Sequence, residues 1–220
     1  LVQPVPRSPL MLRREHSRQP RWSSFLQTLG VLSTCPACLN SVESPAMPKG
    51  NITRGTTNPN RLRRVDRWAS RWPALRKTEN PLVVDLGYGA SAATPVELIE
   101  RLRKVRPEAT LVGFEIDPER VTSARAELPA LKQHGRDTAG VTFERGGFET
   151  PLPAEIAQTA DVIRAFNVLR QYDEADVAEA WQLMCARLQP EGVLIEGTCD
   201  EIGRVSTWIA LTPDGPQTLT

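Results

Sequence analysis

The chain has 220 residues, of which 40% are hydrophobic and 24% are charged, a balance typical of one α/β domain with an appendage. No apolar run approaches the roughly 20 residues that a membrane-spanning helix needs, and no basic-then-apolar signal pattern begins the sequence. The composition therefore excludes an integral membrane protein, and it predicts a soluble protein of the cytoplasm.

The net charge of +1 hides an uneven distribution. Residues 1–80 carry 14 Lys and Arg against 4 Asp and Glu, a net charge of +10, whereas residues 81–220 carry 13 against 22, a net charge of −9. A basic arm on an acidic body makes nucleic acid a candidate partner. An Arg-rich, solvated leader explains the same charge without any partner.

Residues 1–57 are rich in Pro, Ser and Arg and show no sustained periodicity, which predicts a flexible, disordered basic leader. Met47 stands just before the first organised stretch, so initiation there is an alternative. Cys35 and Cys38 form a CxxC pair, but no second pair follows at the spacing of a zinc site. We therefore expect no metal.

Residues 58–80 are predicted to contain an amphipathic helix that starts at Asn58 and Pro59. Leu62, Val65, Trp68 and Trp72 recur at helical spacing on one face. The helix either packs this face on the domain or serves as a lid over a cleft. Nucleic acid, if it binds, would contact the arginines around that face, which are Arg61, Arg63, Arg64 and Arg67.

From residue 81 onward, apolar runs alternate with amphipathic segments. The predicted strands cover residues 82–85, 111–115, 141–144, 161–166, 192–196 and 205–211, and the helices cover residues 94–106, 118–128 and 174–188. This alternation predicts a doubly wound, mostly parallel α/β sheet with helices on both faces, because each crossover helix returns to a sheet face. Only one strand is clear after the fifth, so we expect a truncation at the C-terminus.

A glycine turn follows the first strand. Asp85 ends that strand, Gly87 and Gly89 form the turn, and the third position of a G-x-G-x-x-G fingerprint falls on Ala92. A carboxylate at Asp85 would repel the pyrophosphate of a dinucleotide. The turn therefore favours a nucleoside cofactor with an ammonium group and no phosphate, such as S-adenosylmethionine. Glu115 ends the second strand, where a carboxylate accepts hydrogen bonds from ribose hydroxyls.

Three stretches in this order resemble the cofactor motifs of class I S-adenosylmethionine-dependent methyltransferases. They are residues 83–89 (VVDLGYG), 114–117 (FEID) and 161–169 (DVIRAFNVL). The resemblance covers about residues 54–211, and it is strongest to little-characterised bacterial members, actinobacterial ones in particular. It implies a Rossmann-like methyltransferase domain over residues 81–220.

The resemblance also implies roles for individual residues. Asp85 and the turn Gly87, Tyr88 and Gly89 would hold the methionine part of the cofactor, and Glu115 its ribose. Ile116 would pack on the adenine, and Asn167 would line the methyl-transfer cleft. Many family members carry an acidic residue after the third strand, but this chain has Gly147 there. Adenine would instead meet the backbone N–H of Phe148 and apolar side chains, or Glu149.

The sequence thus predicts an S-adenosylmethionine-dependent methyltransferase with an unidentified acceptor, either a small molecule or a nucleic acid. Residues 167–172 (NVLRQY) are similar to a run in small-molecule and carboxyl methyltransferases. No catalytic residue is assigned, because Tyr172, Asp173, Glu174 and Glu196 each have an ordinary structural explanation. The alternatives are an NAD(P)-dependent oxidoreductase of Rossmann type and a non-catalytic RNA-associated protein that uses residues 61–76.

Overall fold

The structure is a computed structural model that describes residues 48–220 except 53, 54, 56, 57 and 158. The predicted leader as far as Met47, with Cys35 and Cys38, lies outside the described residues. Within the described part, no helix is long and apolar enough to cross a membrane.

Five α-helices and seven β-strands make up the described domain. The helices are α1 (Arg63–Ala69), α2 (Pro73–Lys77), α3 (Ala93–Leu102), α4 (Pro118–Gln133) and α5 (Glu174–Cys185). The strands are β1 (Leu82–Leu86), β2 (Thr110–Glu115), β3 (Val141–Arg145), β4 (Ala160–Phe166), β5 (Leu188–Cys199), β6 (Ser206–Thr212) and β7 (Gly215–Leu219). A short 3₁₀ turn (Leu169–Gln171) follows β4.

The seven strands form one sheet in the order β3-β2-β1-β4-β5-β6-β7. Strands β1 to β5 are parallel, and β6 and β7 add an antiparallel hairpin at one edge. The chain starts in the middle of the sheet and winds outward in both directions, so the point where the strand order reverses lies between β1 and β4. The predicted doubly wound α/β fold is confirmed.

Alternate side chains of the central strands enter two separate cores. Val83, Val162 and Ile195 face the core under α1, α3 and α4. Val84 and Ile163 face the opposite core, under α5. Strands buried on both faces need continuous apolar runs, which explains why β1 and β4 were recognisable in the sequence.

The helix predicted near residues 58–76 is two helices, because Pro73 has no backbone N–H to continue α1. The residue before that proline, Trp72, takes an extended conformation with ψ of 130°. Asn58 does not cap a helix, since its side-chain amide donates to the carbonyl of Glu201. Trp68 and Trp72 pack on the core, and Trp68 also contacts Trp208.

The edge of the sheet differs from the prediction in two places. Strand β5 begins at Leu188, four residues before the predicted start, because Leu188 pairs with Ala160 of β4 across a register shift. Strand β7 was not predicted, since its sequence GPQTL begins with glycine and proline and exposes most of its side chains. An antiparallel pair, β6 and β7, therefore follows β5, where the sequence predicted a single strand.

Candidate functional site

The glycine turn lies at the carboxyl end of β1, beside the point where the strand order reverses. Gly87 and Gly89 have φ angles of +67° and +90°, which side chains with a Cβ rarely adopt. A Cβ on Gly87 would lie 2.6 Å from a methyl carbon of Val168. The backbone N–H of Gly87 donates to the carbonyl of Phe114. Glycine here lets the backbone pass between β2 and the loop after β4.

Glu115 ends β2 with its carboxylate turned toward this glycine turn. Its two oxygens accept hydrogen bonds from the N–H groups of Gly89, at 3.1 Å, and Ile116, at 3.0 Å. Burial raises the pKa of Glu115, and Arg120, with Nη1 3.7 Å away, opposes that rise. A carboxylate fixed here has a further lone pair for each oxygen and is placed to accept from ribose hydroxyls.

Asp85 is paired with Arg164 of the neighbouring strand. The two residues are register partners in β1 and β4, and the guanidinium contacts both carboxylate oxygens, at 2.9 and 2.5 Å. Both side chains are buried. The carboxylate that the sequence assigned to the methionine part therefore already has a bidentate partner within the chain.

Arg164 also joins Asp85 to helix α1. Its Nη1 lies 2.5 Å from Asp66, whose other oxygen lies 2.6 Å from Arg101 of α3. Burial by itself would lower the pKa of Arg164, but the carboxylates of Asp85 and Asp66 raise it above its usual range. This charge network fastens α1 over the sheet. In the sequence, this network is marked by an arginine in the middle of the apolar run DVIRAF.

A large cavity of about 590 Å³ opens on the carboxyl side of the sheet. One wall is the glycine turn with Asp85 and Thr94. The opposite wall comes from the ends of β4 and β5, and it consists of Phe166, Asn167, Arg170, Gln171, Cys199, Asp200 and Glu201. Arg61, Leu62 and Gly55 complete the lining.

Asn167 fixes the back of this cavity. It has a φ of 62°, and its side-chain oxygen accepts from the Thr198 hydroxyl and the Cys199 N–H, each at 3.0 Å. The amide thereby ties the end of β4 to the end of β5. Asn167 lines the cavity, and its carboxamide oxygen is engaged by the protein itself.

Three of the four arginines that were candidates for nucleic-acid contact donate to main-chain carbonyls of the segment that follows β5. Arg61 donates to the carbonyl of Asp200 at 2.9 Å, and Arg63 and Arg64 donate to the carbonyls of Ile202 and Arg204. The fourth, Arg67, is exposed. Their arrangement explains the high arginine content of this segment by its packing against residues 199–204.

A small cavity of about 20 Å³ lies on the other side of Gly87, between Glu115, Ile116 and Phe148. Residues 49–51, which belong to the segment predicted to be a flexible leader, form part of its lining. The Phe148 N–H donates to the carbonyl of Lys49 at 2.9 Å, and the Lys49 N–H donates to Glu149 at 3.0 Å.

The structure brings the eight predicted cofactor residues to one cleft but divides them between the two cavities. Asp85, Tyr88, Gly89 and Asn167 line the large one, Glu115, Ile116 and Phe148 line the small one, and Gly87 lines both. The ring of Tyr88 is buried against Phe143, with ring centroids 4.9 Å apart.

Of the four residues considered as general bases, Tyr172 borders the small cavity. Asp173, Glu174 and Glu196 line neither cavity. Asp200 and Glu201, which the sequence analysis missed, bring carboxylates to the large cavity. They follow β5 and carry no motif, so only the topology reveals them. Among the described residues, no group of three or more His, Cys, Asp or Glu is placed to hold a metal ion.

A parallel sheet of this order, with a glycine turn after β1 and a buried carboxylate at the end of β2, defines a Rossmann-like class I methyltransferase fold. A family model described as a methyltransferase domain matches residues 77–214. The chain belongs to this methyltransferase domain family. The match confirms the predicted class, an S-adenosylmethionine-dependent methyltransferase domain, and favours it over the NAD(P)-dependent alternative.

Solved structures with a similar fold include three methyltransferases. One is the magnesium protoporphyrin IX methyltransferase of Synechocystis PCC 6803 with bound S-adenosylmethionine, at 17% identity over 64% of this chain and 58% of that one, with a TM-score of 0.47. Another is human N-acetylserotonin methyltransferase in complex with S-adenosylmethionine, at 23% identity over 64% and 35%, with a TM-score of 0.42.

The third is the precorrin-6y C5,15-methyltransferase of Geobacter metallireducens GS-15, at 15% identity over 68% of each chain, with a TM-score of 0.43. The chain thus spans between 35% and 68% of the length of these three proteins. A search among curated proteins gives no match.

The described residues fit one half of S-adenosylmethionine and leave no room for the other half. The glycine turn, the Glu115 carboxylate and the large cavity suit a ribose and an amino-acid chain. At the adenine end, the remaining 20 Å³ holds no more than about one water molecule.

Proposed function

We propose that this chain transfers a methyl group from S-adenosylmethionine to a small-molecule acceptor that binds in the large cavity. The observation that carries the proposal is the position of that cavity. It begins at the glycine turn where the methionine part would lie, and it ends at a wall of polar side chains of both signs. A space of about 590 Å³ is in the range of small-molecule sites.

Glu115 and the turn from Gly87 to Gly89 would hold the ribose and the methionine chain. Asp85 would act mainly through Arg164, because this pair fixes the end of β1 and hence the turn that follows it. A direct bond from Asp85 to the cofactor ammonium stays a prediction.

When bound, S-adenosylmethionine supplies a methyl group on a sulfonium that an acceptor nucleophile attacks in line. The chain then has three tasks: to align the acceptor, to exclude water and to take up any proton that leaves the nucleophile. The side chains of Arg170 and Gln171 offer hydrogen-bond donors to the substrate that accepts the methyl group. The Asp200 carboxylate accepts a hydrogen bond from the Arg204 N–H. Of the two carboxylates on the substrate side of the cavity, Glu201 is therefore the one whose side chain has no hydrogen-bond or ion-pair partner among the described residues.

A nucleic-acid acceptor is the less favoured proposal, because Arg61, Arg63 and Arg64 are already bonded to main-chain carbonyls. Arg67 and the basic residues before the domain remain its candidate contacts. A bacterial, cytoplasmic setting is likewise proposed from the sequence and stays a prediction.

Calorimetric titration tests the cofactor assignment. The full chain should bind S-adenosylmethionine and S-adenosylhomocysteine, and it should show no thermal shift with NAD(H). Mass spectrometry of the purified protein should detect co-purified S-adenosylhomocysteine. A folded sample that binds neither sulfur compound contradicts the proposal.

The acceptor class is tested by the release of S-adenosylhomocysteine. We expect turnover with a pool of small metabolites and none with total RNA. Turnover with RNA that is lost on Arg67→Glu, with the exposed Glu119→Lys variant as a charge-changing control, would instead support the nucleic-acid alternative.

A further inference from the structure

We propose that residues 48–51, here called the strap, occupy the adenine subsite as an internal competitor of the cofactor, so that cofactor binding displaces them. This inference rests on the proposed function and concerns the regulation of the same site. Residues 49–51 of the strap line the small cavity together with Glu115, Ile116 and Phe148.

The hydrogen bonds of Lys49 carry the proposal. Its backbone N–H donates to Glu149 at 3.0 Å, and its backbone carbonyl accepts from the Phe148 N–H at 2.9 Å. The Watson–Crick edge of adenine also presents one donor, the 6-amino group, beside one acceptor, N1. The Lys49 backbone therefore uses the same two protein groups that an adenine would need.

Gly50 lies where the face of the base would lie. A Cβ built on it would be 3.6 Å from the Phe148 ring and 3.7 Å from the Ile116 side chain, and 3.1 Å from the Tyr172 hydroxyl. Its φ of +136° favours glycine. Asn51 continues the strap, and its N–H donates to the Tyr172 hydroxyl.

Gly147 stands where many members of the resembled family carry an acidic residue, and the docked strap accounts for this glycine. An ideal Cβ on Gly147 would lie 1.9 Å from the carbonyl oxygen of Lys49. Any side chain at this position would therefore expel the strap. Glycine at residue 147 and glycine at residue 50 are both required by the docked strap, and neither is required by a purine.

The strap is held weakly enough to leave. Its polar contacts with the described residues are three backbone hydrogen bonds and a surface ion pair between Lys49 and Glu179, whose charged atoms lie 3.8 Å apart. If the strap is released in about one molecule in ten, the apparent affinity for the cofactor falls about tenfold. The intrinsic affinity is recovered when the strap cannot dock.

The test uses Gly50→Val in the full chain, because a β-branched side chain is strained at this φ and its Cβ would lie only 3.1 Å from the Tyr172 hydroxyl. Calorimetry should show S-adenosylhomocysteine binding about tenfold more tightly than to the wild type. Lys49→Pro, which removes the N–H that Glu149 accepts, should act in the same direction. The control is Gly135→Val, where φ is +77° but no atom lies within 4 Å of the added Cβ.

Trypsin provides an independent measurement at the Lys49–Gly50 bond. S-adenosylhomocysteine should accelerate cleavage of this bond in the wild type, and Gly50→Val should accelerate it without any ligand. Equal affinities of wild type and Gly50→Val for S-adenosylhomocysteine, or slower cleavage in its presence, would overturn the proposed role of the strap. The methyltransferase assignment would still stand. Absence of binding to all variants would overturn both.

Discussion

The two ends of the cleft are built from opposite kinds of interaction. At the methionine end, buried charges of Asp85, Arg164 and Asp66 pair with one another and fix the structure around an open cavity. At the adenine end, neutral backbone groups of the strap fill the space that a ligand would take. Buried ion pairs are costly to separate, whereas a few backbone hydrogen bonds at the surface exchange readily with water.

This difference indicates which end is rigid and which end responds to the cofactor. The charge network links β1, β4, α1 and α3, so the glycine turn is held in place before any ligand binds. Among the described residues, the strap has only one ion pair, the surface pair between Lys49 and Glu179. A ligand would thus meet a preformed methionine end and an adenine end that has to be cleared.

The largest expected effect comes from disrupting the charge network at the rigid methionine end. Arg164→Met leaves Asp85 buried without its bidentate partner and Asp66 with Arg101 alone, and we expect a loss of about 3–5 kcal/mol in the free energy of unfolding. Urea denaturation measures it. The control, Arg170→Met, removes an exposed arginine one turn beyond β4 and should change stability by less than about 0.5 kcal/mol. Equal losses in the two variants would show that the network contributes nothing special.

The next effect concerns the junction between the two ends. Glu115→Gln keeps an acceptor for the Gly89 N–H but removes the charge that strengthens bonds to ribose hydroxyls. We expect the affinity for S-adenosylhomocysteine to fall about 10- to 100-fold in calorimetry, since such bonds contribute about 1.5–3 kcal/mol. Glu119→Gln, on the exposed first turn of α4, should leave the affinity unchanged. An unchanged affinity for Glu115→Gln would remove the ribose assignment.

A third test compares the ion-paired carboxylates of the charge network with the half-buried carboxyl group of Glu196. Burial raises the pKa of Glu196 from 4.5 to about 7. The folded state then holds a proton that the unfolded state releases, so this group lowers stability as pH rises from 4.5 to about 7. Glu196→Gln removes that loss. The variant should gain stability over the wild type at pH 8 and not at pH 4, and a pH-independent difference would contradict the shift.

The smallest effect concerns the strap. Tyr172→Phe removes the hydroxyl that accepts from the Asn51 N–H and keeps the ring against Phe148. We expect stability to change by less than about 1 kcal/mol and the affinity for S-adenosylhomocysteine to rise by a factor of a few. A clear fall in affinity would mean that the hydroxyl serves the ligand instead of the strap.

Much of the fold followed from the sequence, because strands β1 to β4 and helices α3 and α5 each carry a strong local pattern. The predicted extent of the helix near residues 58–76 was wrong. The prediction relied on the helical spacing of Val65, Trp68 and Trp72 and gave too little weight to Pro73. Strand β7 lacked any apolar pattern of its own. Its pairing with β6 is visible only in the tertiary structure.

The sequence by itself determined strands β1 to β4, the glycine turn and the two strand-end carboxylates, since each depends on residues that are close in the chain. Only the tertiary structure decided what those groups contact. Asp85 meets Arg164 across a register that two distant strands set, and Lys49 meets Phe148 and Glu149 from about 100 residues away in sequence. Such pairings follow from how the layers pack, and no local pattern encodes them.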